Sequence, residues 1–196
     1  MPDIDTADSL LQRLRILREQ HLHLLTLFHD QETHTQSHPE LSPPAWHVGH
    51  ARFVETYWLQ GQIAGDDSLT ADWHDLYFPE QAPKTTRGVR MPAIHEFTAW
   101  VTALDGANDA YWLKLLSANS DHPLMRDFYA LLFLIQHYCQ HLENLMMCLQ
   151  QAGHTVSYPP AMSETAHTLS FPHCTVSVGA NRKTMDAYDN EYKAHT

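Results

Sequence analysis

LLFLIQHYCQHLENLMMCL, residues 131–149, is the stretch that decides the fold. At about 100° per residue its apolar side chains occur almost all the way round, so a helix made from it has little surface to offer water and belongs at the centre of a helical assembly. Ser120 or Asp121 can cap this helix, Pro123 fits its first turn, and Gly153 is placed to close it. A buried central helix needs neighbours, and the chain offers three. From Asp8, the residues Leu10, Leu14, Leu17, Leu24 and Phe28 keep spacings of three and four, with His21 in the remaining slot. Ser42 can cap a second helix that carries Pro43 and Pro44 in its first turn, where their missing N–H groups have no helical partner to lose. It runs to about Ala64, before Gly65-Asp66-Asp67. Ile94, Phe97, Val101, Leu104, Asn108, Tyr111 and Leu115 predict a third helix, with Gly106 as its weak point. The expected fold class is all-α, a four-helix bundle, an architecture whose metal sites are built from side chains on facing helices.

Residues 65–92 hold three prolines and no sustained periodicity, which predicts a long crossover of the kind that tends to carry function. From His154 onward prolines and short polar runs break every helical pattern, and Thr175-Val176-Ser177-Val178-Gly179 alternates like a short strand. The expected organisation is a helical bundle over residues 1–153 and an irregular tail over 154–196.

The bulk properties narrow the function. A length of 196 residues with 43% hydrophobic content is enough for one domain with its own core. The formal charge of -11 argues against a nucleic-acid backbone or an anionic membrane as partner, since either attracts a basic surface. No run approaches the roughly eighteen apolar residues of a membrane span and no opening stretch resembles a secretory leader, so the expected location is cytoplasmic. Cys139, Cys148 and Cys174 are odd in number and lack zinc-ribbon spacing, which points to buried reduced thiols. No nucleophile elbow, phosphate-binding loop or dinucleotide fingerprint is present.

The chemistry rests with histidine, of which there are 16. His137 and His141 are four apart, so on a helix both imidazoles leave one face about one turn from each other, a spacing that suits two ligands of one ion. His50 shares the inward stripe of the second helix with Trp46, Phe53, Val54 and Tyr57. Three imidazoles from two helices make a ligand set with open positions, as catalytic metals require. With so many histidines an HxxxH pair also arises by chance, and core histidines are the competing reading. His47 lies close enough in angle to contribute, but a polar or capping role suits it better. His21 reads as a core histidine with one hydrogen bond, and His29, His34, His38, His74, His154 and His195 read as solvated surface. Glu143 is about 200° round the helix from His141, so it cannot share the metal and is left an outer-shell role.

Two segments together, SPPAWHVGHARFVETYWL (Ser42 to Leu59) and HYCQHLE (His137 to Glu143), closely resemble the DinB-like N-terminal domain of ergothioneine sulfoxide synthases, whose pattern is WHxxH followed by a distant HxxxHxE. The resemblance implies that His50, His137 and His141 bind a non-heme iron(II). TTRGVRMP (Thr85 to Pro92) is similar to a family segment with two arginines before a proline, though one residue shorter. It implies that Arg87 and Arg90 lie near the site and pair with a substrate carboxylate; solvated loop charge is the plainer alternative. FPHCTVSVGANRKTMDAYDNEYKAHT (Phe171 to Thr196) resembles the opening of the formylglycine-generating-enzyme-like second domain, with Asp189-Asn190-Glu191 kept and Lys193 where proline is usual.

In that family the iron joins a thiol to a histidine-derived betaine in an oxygen-dependent reaction, and the second domain supplies a catalytic tyrosine and much of the pocket. The resemblance therefore implies that residues 1–196 hold the metal site, with no catalytic residue of their own, and have little synthase activity alone. Two other readings compete. One is a free-standing DinB-like thiol transferase using zinc or nickel, typically as a homodimer, in which the metal lowers a thiol pKa. The other is a non-catalytic bundle whose tail docks to a partner.

Overall fold

The computed structural model describes residues 6–118 and 120–155. Among them there are helices and turns and no strand, so the chain is all-α over its described part. The strand expected at Thr175–Gly179, the Asp189-Asn190-Glu191 motif and Cys174 lie outside the described residues. Met1–His154 is one compact unit of the chain.

Helix α1 spans Ala7–Leu25 and starts at Thr6, whose Oγ1 accepts from the Ser9 N–H at 3.2 Å. It ends short of the expected Phe28 because the chain tightens into single turns after Leu24, yet Phe28 stays buried, so the apolar stripe outlasts the helix. After a short α2 (Asp30–Thr33), α3 covers Pro44–Thr56 with Pro43 at its cap. Ser42 is not the cap; its hydroxyl accepts instead from Arg87 Nη1 at 2.5 Å. The helix then widens into a π-helix, Tyr57–Ile63, and the chain turns away at Gly65 with φ +72°, a left-handed backbone that glycine adopts without strain.

The crossover is built of single turns: Ala71–Trp73, α4 (His74–Tyr77), α5 (Lys84–Arg87) and Gly88–Arg90. Helix α6 spans Ile94–Ser117, passing through Gly106 without a break. The central helix differs from expectation at its start. Neither Ser120 nor Asp121 caps it; His122 opens a 3-10 stretch, Pro123–Phe128, and Asp127 and Phe128 turn left-handed at φ 49° and 58° before α7 begins at Tyr129. Left-handed backbone costs a non-glycine residue about 1 kcal/mol, so tertiary packing sets this break against local preference. Helix α7 runs Tyr129–Gln151 and Gly153 closes it with φ +84°.

Helix α7 packs against α1 and α3, and α3 packs against α6. Leu10, Leu14, Ala51, Trp112, Leu131, Leu134 and Tyr138 meet in one core to which all four long helices contribute. No helix among the described residues is long and apolar enough to cross a membrane.

That core encloses charge. Glu55 on α3 is fully buried and accepts from Arg18 Nε of α1 at 3.0 Å, from Trp112 Nε1 of α6 at 2.9 Å and from the Tyr138 hydroxyl of α7 at 2.7 Å. Arg18 also reaches Asp109 at 2.6 Å, and Arg52 lies 3.3 Å from Asp105 while donating to the Arg18 carbonyl at 2.7 Å. Burial alone would lower the Arg18 pKa, but Glu55, Tyr138 and Asp105 together outweigh it and hold the guanidinium firmly charged. One carboxylate thus ties together all four long helices.

Candidate metal centre

Helix α3 delivers His50, and α7 delivers His137 and His141 one turn apart. All three are buried, and one ring nitrogen of each lies within 4.8 Å of the others'. His137 Nε2 and His141 Nε2 are 3.2 Å apart. That separation would let both nitrogens reach one ion at the usual distance of about 2.1 Å. His50 Nδ1 donates to the Tyr77 carbonyl at 2.8 Å, leaving Nε2 as its free lone pair.

The rings are kept neutral. Burial pushes the His137 pKa down to about 4, and burial with mutual repulsion holds His50 and His141 well below the usual imidazole range. A neutral imidazole has the lone pair a metal needs, so these three donors are ready without first losing protons.

Aromatic rings wall the cluster. Trp46 stacks on His50 with centroids 4.6 Å apart and planes at 11°, and its Nε1 donates to the Leu76 carbonyl at 2.9 Å. Phe133 stacks on His137, and Trp58 on Phe133 at 4.1 Å. Gly49 makes the crossover's close approach possible: a Cβ there would sit 2.3 Å from the Tyr77 hydroxyl. Since Tyr77 is fully buried and its carbonyl holds His50, Gly49→Ala pushes on the Tyr77 ring and through it on the His50 anchor. The expected outcome is a loss of about 1–3 kcal/mol in urea unfolding, with zinc affinity about tenfold weaker; wild-type values in both would show that Tyr77 yields freely.

The expected arginines part company. Arg87 is only 5% exposed and donates to the Ala82 carbonyl at 2.8 Å, to Ser42 and to the Pro79 carbonyl at 3.3 Å, with its guanidinium carbon 3.8 Å above the Trp46 ring. It is neither solvated loop charge nor a free fork for a carboxylate. It clamps the crossover onto α3 and backs the Trp46–His50 stack. Arg90 is taken up by the Asp75 carboxylate at 2.6 Å on the exposed side of the crossover.

Glu143 is exposed, because the turn of α7 carries it away from the buried histidine face, and it has no outer-shell contact with them. That role falls to the Tyr77 carbonyl and to His47, which is buried with Nδ1 3.0 Å from His141 Nδ1. His21 makes two hydrogen bonds instead of one, to the Tyr138 carbonyl at 2.9 Å and from Arg52 at 3.2 Å. His34, His74 and His154 are half-buried: His34 bonds the Pro92 carbonyl, His74 packs among Phe53, Tyr57 and Phe78, and His154 pairs with Glu32. His29 and His38 are exposed, and His195 lies outside the described residues. Cys148 is buried but Cys139 is exposed, against the expectation of buried thiols; both are free.

No protein-family model matches the chain, and no curated protein matches it.

Proposed function

We propose that residues 1–153 form a DinB-like four-helix bundle that binds one iron(II) through His50, His137 and His141, as part of a sulfoxide synthase-like enzyme joining a thiol to a histidine-derived betaine. The observation that carries the metal reading is the convergence of three buried, neutral imidazoles from α3 and α7 with their nitrogens within 4.8 Å. The family assignment rests on the WHVGH and HYCQHLE wording around those residues. Bound iron supplies oxygen activation for carbon–sulfur bond formation in such enzymes. The chain's own residues do the rest of the positioning: Tyr77 orients His50, Trp46 and Phe133 shield two of the rings, and Arg87 holds the crossover down. Three neutral donors would leave the charge of a bound dication uncancelled, which would favour an anionic group such as a thiolate beside it.

The cluster of three imidazoles favours a second reading, a zinc- or nickel-dependent thiol transferase, because such a donor set, with no carboxylate joining it among the described residues, also makes a catalytic zinc site. Anaerobic titration with iron(II) and with zinc decides. The expected result is one iron per chain, with His50→Ala, His137→Ala and His141→Ala each weakening binding at least about 100-fold. Tight zinc with no iron uptake selects the transferase. No stoichiometric metal, or variants that bind as wild type does, would sink the metal-centre reading altogether.

A further inference from the structure

We infer that His47 is the positioning residue for the ligand His141, holding it in the one tautomer and ring orientation that present Nε2 to the metal. This rests on the metal reading above. His141 faces His137 through Nε2 at 3.2 Å and His47 through Nδ1 at 3.0 Å, so its two nitrogens have separate duties. An imidazole that gives the Nε2 lone pair to a metal carries its proton on Nδ1, and that proton needs an acceptor. The atom opposite is Nδ1 of His47, which therefore accepts and keeps its own proton on Nε2. His47 is 4% exposed; its Nε2 makes no hydrogen bond of ordinary geometry among the described residues, and the Ser42 backbone is the polar group that interacts with the ring. The one hydrogen bond of good geometry that this buried ring makes is the Nδ1 contact with His141, which marks it as held for that contact.

The three ligands are thus supported unequally. His50 is anchored to a backbone carbonyl, His141 to a side chain, and His137 Nδ1 has no partner among the described residues. His47 and His50 leave α3 three residues apart, so one helix contributes a ligand and also steadies a ligand of the helix opposite. His47 stands outside the ligand set itself, since it is not among the groups whose nitrogens share the 4.8 Å cluster. Its effect on the metal runs through His141.

The test compares zinc affinity, by chelator competition, in wild type, His47→Leu, His47→Asn and His50→Ala, with circular dichroism checking each fold. Asparagine places Oδ1 where Nδ1 stood and can accept the same proton; leucine fills the space and cannot. The expected result is a loss of about 10–100-fold for His47→Leu, recovery by His47→Asn to within about threefold, and no measurable binding by His50→Ala. Binding by His47→Leu equal to wild type, while His50→Ala still loses the metal, overturns the role of His47 alone. Binding by His50→Ala equal to wild type means that the metal reading itself has failed. Should His47→Leu not fold, long-range 15N–1H correlation spectra of the zinc-loaded wild type decide. Protons on His141 Nδ1 and His47 Nε2 support the inference, and a proton on His47 Nδ1 overturns it.

Discussion

Glu55→Ala is expected to remove at least about 4 kcal/mol of stability, enough to leave the chain largely unfolded at room temperature if its total lies at the low end of the usual 5–15 kcal/mol. The wild-type carboxylate accepts from Arg18, Trp112 and Tyr138 and is fully buried, so alanine strands an indole N–H, a phenol and part of a guanidinium where no water reaches. Each unpaired buried group costs about 1–3 kcal/mol, and the cationic one more. Glu55→Gln keeps the volume and one oxygen acceptor, so it should cost less than alanine does; its amide still cannot neutralise Arg18. Urea unfolding of the three proteins measures the ranking. A loss under about 1 kcal/mol for Glu55→Ala would mean that the network contributes little and that apolar packing alone holds the helices. Because Tyr138 adjoins His137, the glutamine variant also asks whether the network sets the rotation of α7 that the metal site needs.

Lowering the pH of the metal-free protein from 7 to 4 should unfold it cooperatively. Five buried histidines are held neutral: burial pushes His21 and His47 down to about 3 and His137 to about 4, and holds His50 and His141 well below the usual range. Unfolded, each titrates near 6.5. Above that pH both states are neutral and the histidines contribute no pH dependence. Below it the unfolded chain binds protons that the folded chain refuses, so stability falls as pH drops, by about 1.4 kcal/mol per pH unit for each histidine. The loss runs from about 6.5 to about 4, where His137 begins to accept a proton while folded. Five such groups exhaust a typical total stability within one to two units, placing the midpoint near pH 5, to within about a unit. Saturating zinc should move the midpoint lower, because it binds only the deprotonated, folded site. Far-UV circular dichroism against pH, with chelator and with zinc, reads both. Stability unchanged between pH 7 and 5 would show that the unfolded chain gains no protons over the folded one.

The parts of this molecule legible in its sequence are those governed by helical period. Leu10, Leu14 and Leu17 marked α1, and the four-residue spacing of His137 and His141 put both on the buried face of α7. His50 was legible for the same reason. The crossover was not, because its turns are placed by what they pack against. Arg87 sits in a segment that reads as polar loop, and only tertiary structure lays it over Trp46. Likewise Phe128 carries no residue-type signal for left-handed backbone, and the tolerance of Asp127 for it is too weak a signal to place the break. The buried network lies between these cases. Charged residues read as surface by default, yet Arg18 is four residues after Leu14 and three before His21, inside the apolar stripe, and α3 is buried on nearly every side. A charge in a stripe that cannot reach water must find a partner within the core. His47 was placed near the right angle, but its duty depends on the opposite helix and no spacing within α3 reports it.

The π-helix Tyr57–Ile63 bears on how this chain can change over evolutionary time. A π-turn spans one residue more than an α-turn, the local signature of a single-residue insertion absorbed by a helix. A regular α-helix given one extra residue would turn everything downstream by about 100°, whereas the wider turns take that residue up and leave both flanks close to their original directions. Trp46, His47, His50 and Glu55 all lie upstream, and the crossover lies downstream. The segment therefore works as slack between the two. A change of one residue in chain length can be taken up here without re-aiming the crossover, so the Tyr77 carbonyl keeps its place against His50.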